Sequence, residues 1–249
     1  MKNSDRFDKY ISNHFSRVYG GDIKLTFDKR YYIWKSYLTD LLPVDKQSAV
    51  LEIGCGMGHN LYSLKRLGYN DVIGFDISKE CVDFCNRQDL KSVYYQTEDK
   101  FINKWVKNKK YSFIVLYDVI EHYKPDGATK ILLLLKKILA KDGIIFISVP
   151  NAEYPLNSNT LYSDITHHFM YNEFSMGQLL HLSGMKAVRY VYSNSFALYD
   201  ENLVLHVIKR FIVRPISCIG EFFWKILALS QGVTGKNMKP TMYCFAEVI

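Results

Sequence analysis

Val50-Leu51-Glu52-Ile53-Gly54-Cys55-Gly56-Met57-Gly58-His59, followed by Val72-Ile73-Gly74-Phe75-Asp76, decides the fold of this 249-residue chain. The first stretch is an apolar run carrying one acid, then three glycines at alternate positions; the second is an apolar run that ends in an acid. Short runs rich in Val, Ile and Phe read as buried strands. A glycine-rich bend after a strand lets backbone approach a ligand closely and opens the next helix with N–H groups pointing outward. An acid at the tip of the next strand, Asp76, is placed to accept hydrogen bonds from ribose hydroxyls.

The spacing argues against the commonest ligand of such a bend. A dinucleotide fingerprint is G-x-G-x-x-G with helix N–H groups facing a pyrophosphate. Here the glycines run G-x-G-x-G, and Glu52 stands two residues before the first. A carboxylate there repels a pyrophosphate but suits the ammonium group of a methionine-type ligand. The two stretches resemble motif I, and the acid after it, of the class I S-adenosylmethionine-dependent methyltransferases, in particular those of small molecules and glycans. The resemblance implies an α/β fold: a Rossmann-like, doubly wound, mostly parallel seven-stranded sheet whose last strand is antiparallel. It also implies that Glu52, Gly54, Cys55, Gly56 and Gly58 surround the methionine part of S-adenosylmethionine, while Asp76 and the adjoining Ile77 hold its nucleoside. A plain glycine turn and a nicotinamide-binding dehydrogenase are the competing readings; neither accounts for loop, first acid and second acid together.

A chain of this length suits one large α/β domain with additions. Hydrophobic residues make up 48% and charged residues 23%, which suits a soluble globular protein with an ample core. The formal net charge is +7, which attracts nucleic acid, anionic lipid or acidic glycans without choosing among them. Five cysteines stand at 55, 81, 85, 218 and 244, with no C-x-x-C pair. With no secretion signal at the start, a reducing cytoplasm is the simplest compartment. Cys81 and Cys85, four apart, are expected to pack on one helix face rather than bind metal.

The chain divides into an N-terminal segment, 1–48, and a methyltransferase domain, 49–249. A helix is expected over 29–42, ending before Pro43. In the resembling family such segments often cover the cofactor, which makes Tyr19, Tyr31 and Tyr32 lid candidates. From Ala49 onward, strands at 49–53, 72–76, 92–96, 112–117 and 144–149 alternate with helices at 58–67, from Ser78, at 99–107 and at 128–139. This alternation gives a parallel sheet, with ligands beyond the carboxyl ends of its strands. A loop over 151–169, a helix over 173–183, a strand over 187–193, an insertion over 199–238 and a last strand over 242–248 complete the pattern.

Two segments could carry chemistry. Tyr117-Asp118-Val119-Ile120-Glu121-His122 is similar to the family's strand, acid and E-H segment. The similarity implies that Asp118 flanks the cofactor and that His122 faces the sheet top or anchors the next loop. Asp164-Ile165-Thr166-His167-His168-Phe169 resembles a D-x-T-H segment of glycan and small-molecule methyltransferases. Methylating a hydroxyl requires removal of its proton, and imidazole, with a pKa near 6.5, suits that work. His167 is the preferred general base, with a loop-pinning hydrogen bond as the alternative, and His168 is weaker. Asp118, His122 and His167 could converge on Mg²⁺ or Zn²⁺, but they come from separate loops, so no spacing rule supports a metal site and none is expected. For the adenine amino group, Glu98 is favoured over its neighbour Asp99.

The insertion alternates apolar residues with Lys209, Arg210, Arg214 and Lys225, which suits peripheral membrane contact through 203–229; a helical pair covering the domain or forming a dimer contact is the alternative. No apolar stretch reaches the roughly 20 residues needed to span a bilayer. The expected acceptor is a small molecule or glycan, such as a surface polysaccharide or its lipid-linked precursor. A tRNA or other nucleic-acid methyltransferase is the second reading, weakened by the absence of a basic run interleaved with aromatics and of an N-P-P-Y tetrapeptide. A non-catalytic cofactor-binding subunit is the third. The sequence leaves the oligomeric state open.

Overall fold

In a computed structural model, residues 11, 23–96, 109–193, 207–230 and 239–249 are described. β1 (Val50–Ile53) is buried along its whole length and pairs in parallel with β2 (Val72–Asp76) on one side and β4 (Tyr111–Tyr117) on the other. β3 (Val93–Tyr95) extends the sheet beyond β2, and β5 (Leu139–Pro150) lies in parallel beyond β4. β7 (Thr241–Val248) runs antiparallel between β5 and β6 (Met185–Ser193). The seven-stranded order is therefore β3-β2-β1-β4-β5-β7-β6, with the last strand alone reversed, as the sequence implied. Chain order reverses between β1 and β4, which opens a crevice beyond their carboxyl ends.

Helices cover both faces. α1 (Ile23–Ile33) packs on α2 (His59–Arg66), and α3 (Lys79–Arg87) follows β2. These helices cover the face carrying Val50, Phe113, Val115, Phe146 and Phe245. α4 (Pro125–Lys136) and α6 (Glu173–Leu182) cover the other, against Leu51, Ile53, Ile114, Leu116 and Ile147. Because successive side chains of a strand point to opposite faces, Glu52 is directed, with Val50, toward the α1–α2 side. Ser78 caps α3 through a bond from Cys81 N, and Cys81 and Cys85 are both buried.

Several boundaries differ from the sequence reading. The helix expected over 29–42 starts at Ile23, and after Ile33 it loosens into a π-helical turn, Trp34–Leu38, and a 3₁₀ turn, Thr39–Leu41. The helix expected over 128–139 runs from Pro125, whose fixed φ suits a first turn, to Lys136. Leu139 already pairs with Tyr111, and the next aligned pair is Phe113 with Ile144. Lys141-Asp142-Gly143 is thus a bulge inside β5 rather than a helix end. The loop expected over 151–169 contains a short helix, α5 (Asn157–Ser163). Of the insertion, a π-helical turn, Lys209–Val213, and α7 (Arg214–Ser230) are described. The helix expected at 99–107 lies outside the described residues.

Trp34 joins α1 to the sheet. Its ring is fully buried, 5.0 Å from Phe146, and Nε1 donates to Asn60 Oδ1 at 2.9 Å. Trp34→Ala removes a large core side chain and orphans an amide oxygen; chemical denaturation should report a loss of about 3–5 kcal/mol. Trp34→Phe keeps most of the packing and should cost clearly less.

Candidate active site

The glycine bend needs its glycines. Gly54, Gly56 and Gly58 all lie at positive φ (64°, 50° and 81°). A Cβ on Gly54 would stand 2.7 Å from Val119 Cγ2, and one on Gly58 only 2.5 Å from Leu90 Cδ1. Cys55 is buried, and the neighbouring Cys85 Sγ donates to Gly56 O at 3.3 Å, fixing the bend from α3. Asp76 ties two loops together: Oδ2 accepts from Gly56 N and Oδ1 from Ser78 N, each at 2.7 Å. Ile77, half-buried, continues directly from it.

Behind the bend sits Glu52, with no exposed surface. Asn60 Nδ2 donates to its Oε1 at 2.6 Å, and Oε2 has no hydrogen-bond partner. Burial pushes its pKa from 4.5 up to about 8; the Asn60 bond and the Arg30 charge oppose the rise, and Asp76 adds to it. His59, at the head of α2, stacks on Phe27 and shares a 2.8 Å bond with Thr26 Oγ1; burial lowers its pKa to about 3, so the ring is neutral and structural.

Arg30 is a buried cation beside the bend that the sequence reading missed in favour of neighbouring tyrosines. It is buried, with its guanidinium 3.7 Å above the Tyr117 ring, and its charge favours the ionised forms of both Glu52 and Asp118. The available signal was a lone cation on the apolar stripe Phe27, Arg30, Ile33, Trp34. Tyr31 and Tyr32 instead line a surface pocket with Asp28, Lys35 and Arg66. Tyr19 and Glu98, the adenine candidate, lie outside the described residues.

At the end of β4 the chain turns sharply at Asp118, a non-glycine residue at φ 54°. Ser148 Oγ donates to Asp118 Oδ1 at 2.7 Å. The residue is open to solvent at the cleft, yet surrounding protein raises its carboxyl pKa, opposed by Arg30, Ser148 and His167 in that order. A 3₁₀ turn, Ile120–His122, follows. Its Glu121 is 1% exposed, and neither carboxylate oxygen bonds to another residue. Burial raises that pKa too, and Asp118 and Asp164 add to the rise.

The loop after α5 docks onto this turn. The N–H groups of His168 and Phe169 both donate to Glu121 O, at 2.8 and 3.2 Å. The docking places the His167 ring 4.7 Å from that of His122. His122 Nδ1 lies 2.8 Å from Thr166 Oγ1, whose own proton goes to Asp164 Oδ1 at 2.6 Å. His167 Nδ1 donates to Thr160 O at 3.1 Å. The two histidines singled out in the sequence therefore converge, joined by Asp118 and by Glu121, which had been quoted but given no role. His168 is exposed.

A glycine bend between two acids, beside a pair of imidazoles at the carboxyl ends of a doubly wound sheet, defines a transferase of the S-adenosylmethionine class. A family model described as a methyltransferase domain matches residues 27–190. The chain belongs to that family of class I S-adenosylmethionine-dependent methyltransferases. Over 124 residues it is 27% identical to the mitochondrial ubiquinone biosynthesis O-methyltransferase of Dictyostelium discoideum. That match covers 42% of this chain and 36% of the relative. Among solved structures, an S-adenosylmethionine-dependent methyltransferase from Archaeoglobus fulgidus superposes with a TM-score of 0.61 at 20% identity, over 90% of this chain and 99% of that one. Magnesium protoporphyrin IX methyltransferase from Synechocystis PCC 6803, with bound S-adenosylmethionine, gives 0.57 at 13% identity, over 100% and 98%.

The raised pKa of Glu52 has a direct consequence for stability. The folded, ligand-free protein keeps a proton that the unfolded chain releases near pH 4.5, so stability falls as pH rises from there to about 8 and is flat above. Glu52→Gln keeps an acceptor for Asn60 and removes the charge. Melting curves without ligand should show the variant gaining a few kcal/mol over the native chain near pH 8.5 and little near pH 5. A parallel loss of S-adenosylmethionine affinity in calorimetry would mark Glu52 as a cofactor residue.

Proposed function

We propose that this chain moves the methyl group of S-adenosylmethionine onto a hydroxyl of a small molecule or glycan. The observation that carries this reading is the convergence of His122, His167, Asp118 and Glu121 beside the glycine bend. The cofactor's methionine part rests on residues 54–58 with its ammonium toward Glu52, and its ribose on Asp76 and Ile77. For the adenine amino group the sequence offers Glu98. We assign the N-terminal segment, 1–48, a role at the cofactor, to whose methionine end Arg30 brings its charge. Transfer is an in-line displacement in which the acceptor oxygen bonds the methyl carbon while the carbon–sulfur pair returns to sulfur. The protein contributes orientation, exclusion of water and removal of the hydroxyl proton.

His167, with Nδ1–H committed to Thr160 O, offers its Nε2 lone pair for that proton. The Dictyostelium relative is named for O-methylation, which favours oxygen as the acceptor atom. A net charge of +7 is the feature that suits a nucleic-acid acceptor. A non-catalytic subunit would have no use for two converging imidazoles. Calorimetry and turnover with labelled cofactor test the assignment. Asp76→Ala should abolish measurable cofactor binding. His167→Ala should keep cofactor affinity within about threefold and lower kcat by about 10²–10⁴. Full turnover in His167→Ala would remove it from the chemistry.

The acceptor, or the place where it is met, is a membrane surface. Among the described residues no helix is long and apolar enough to cross a bilayer, but α7 has no buried residue. Arg214, Ser217, Glu221 and Lys225 share one polar stripe at helical spacing. Ile216, Ile219, Phe222, Phe223, Ile226 and Leu227 form a broad apolar face, all exposed, with exposed Trp224 at its border. Such a helix lies in the headgroup layer with basic residues toward water or anionic lipid. Co-sedimentation with vesicles containing phosphatidylglycerol should be lost in the double variant Phe222→Asp, Phe223→Asp, with cofactor binding unchanged. Equal sedimentation would overturn the membrane assignment.

A further inference from the structure

His167 Nδ1 donates to a carbonyl of α5, a helix that the hydrophobic core does not hold in place. α5 is seven residues long and its one buried residue is polar, Asn157. Leu156, just before it, and Tyr162, within it, are exposed. So short a helix has no stability of its own in water, and its place is set by whatever anchors it. We propose that Asn157 is the positioning residue of His167: acting through Thr160, it fixes which way the imidazole faces and which ring nitrogen carries the hydrogen. That His167 takes the acceptor's proton rests on the O-methyl transfer proposed above; the orientation of its ring by Asn157 does not.

The first support is the amide itself. Asn157 Nδ2 donates to Asn151 O at 2.8 Å and to Pro240 O at 2.7 Å, while Oδ1 accepts from Thr160 Oγ1 at 3.2 Å. Carbonyl oxygens only accept, so they settle which end of the carboxamide is nitrogen, and both of its hydrogens are committed. The role needs two N–H groups and an oxygen on one short side chain. Asn157→Asp would set a carboxylate against two carbonyl oxygens, and Asn157→Leu would remove both donors and the acceptor.

The second is the fixed end of the chain of bonds. Asn151 N donates to Pro240 O at 2.8 Å, and Asn151 Nδ2 to Lys239 O at 2.9 Å. Asn151 directly follows β5 and Pro240 directly precedes β7, and the two strands pair there, Pro150 with Thr241. Asn157 is therefore tied to the rim of the sheet, where the insertion returns into β7. From that rim three side-chain bonds lead to the site: Asn157 to Pro240 O, Thr160 Oγ1 to Asn157, and His167 Nδ1 to Thr160 O at 3.1 Å. Ser163 Oγ also donates to Thr160 O, at 3.2 Å.

The third is that the loop carrying His167 is already held by backbone. His168 N and Phe169 N donate to Glu121 O, His167 N to Asp164 O at 3.1 Å, and Thr166 N to Asp164 Oδ1 at 2.8 Å. Loop pinning by the His167 side chain would be redundant. What the bond to Thr160 O adds is the direction of the ring. With the hydrogen on Nδ1, the lone pair is on Nε2, at the far side of the ring from α5. A base must have its lone pair and its direction set together. The sheet rim sets both through Asn157.

The test reads the ring directly. Full-length protein labelled with ¹⁵N-histidine is observed by NMR near pH 8.5, above the ordinary range of imidazole, and His167→Ala identifies the signal. The native chain should show His167 with its hydrogen on Nδ1. A ring without a fixed partner samples both tautomers, so Asn157→Leu and Thr160→Val should each lower the Nδ1–H form by about twofold or more. Thr160→Ser keeps the hydroxyl and should match the native chain. Melting curves report folding, and calorimetry with S-adenosylhomocysteine reports the cofactor site. An unchanged tautomer in an Asn157→Leu chain that melts as the native chain does overturns the proposal, as does a native chain with the hydrogen on Nε2. Should Asn157→Leu fail to fold, Thr160→Val against Thr160→Ser decides, and equal tautomer populations in the two overturn it. A native chain with the expected tautomer that takes up no S-adenosylhomocysteine overturns the methyltransferase reading and leaves the positioning by Asn157 standing.

Discussion

The electrostatic cost of Glu52 is the constraint around which the glycine bend and the elements behind it are arranged. A carboxyl in the middle of a fully buried strand has no water to ionise into. The fold surrounds it with partial remedies rather than a full one. Asn60 supplies one hydrogen bond and is itself aimed by Trp34, which belongs to the segment ahead of the sheet. Arg30, one turn earlier in α1, supplies charge from the same segment. The first helix is therefore part of the electrostatics of the glycine bend and not merely a cover. Oε2 is left without a partner, which is the group a ligand ammonium would satisfy. The ligand-free state carries a penalty that a cation can remove, and binding strength is gained without new apolar contact.

The two halves of the site are built by different means. The glycine half is local: one bend, one strand tip and the Asp76 carboxylate that joins them by two backbone bonds. The histidine half is assembled from distant pieces, the turn after β4 and the loop after α5, brought together by N–H bonds to Glu121 O. That difference explains what the sequence could reveal. Alternate glycines and a strand-terminal acid dictate their own geometry, so the bend, Asp76 and the parallel sheet could be read directly. The convergence of His122 with His167 depends on loop docking that no periodicity encodes; each histidine could be named, but their contact could not. Glu121 was overlooked because a lone acid beside a histidine gives no sign of whether it will be buried. Arg30 was obscured by the tyrosines around it. The bulge in β5 escaped because Lys-Asp-Gly has the composition of a helix end.

Charge also links the halves. Asp118, turned at positive φ, stands between them: Arg30 acts on it from the side of the glycine bend and His167 from the side of the histidine pair. Glu52, Asp76, Asp118 and Glu121 are four acids around one crevice, and three of them have raised pKa values. Such a crevice suits a ligand that carries positive charge. S-adenosylmethionine carries two positive centres, its ammonium and its sulfonium. Methyl transfer removes the second, because sulfur becomes a neutral thioether when it takes back the bonding pair. To the extent that these acids are ionised, such a crevice would attract the sulfonium form more strongly than the thioether. The same acids would disfavour an anionic acceptor such as a phosphate near the sulfur. An uncharged acceptor group is the kind that the same acids would leave undisturbed.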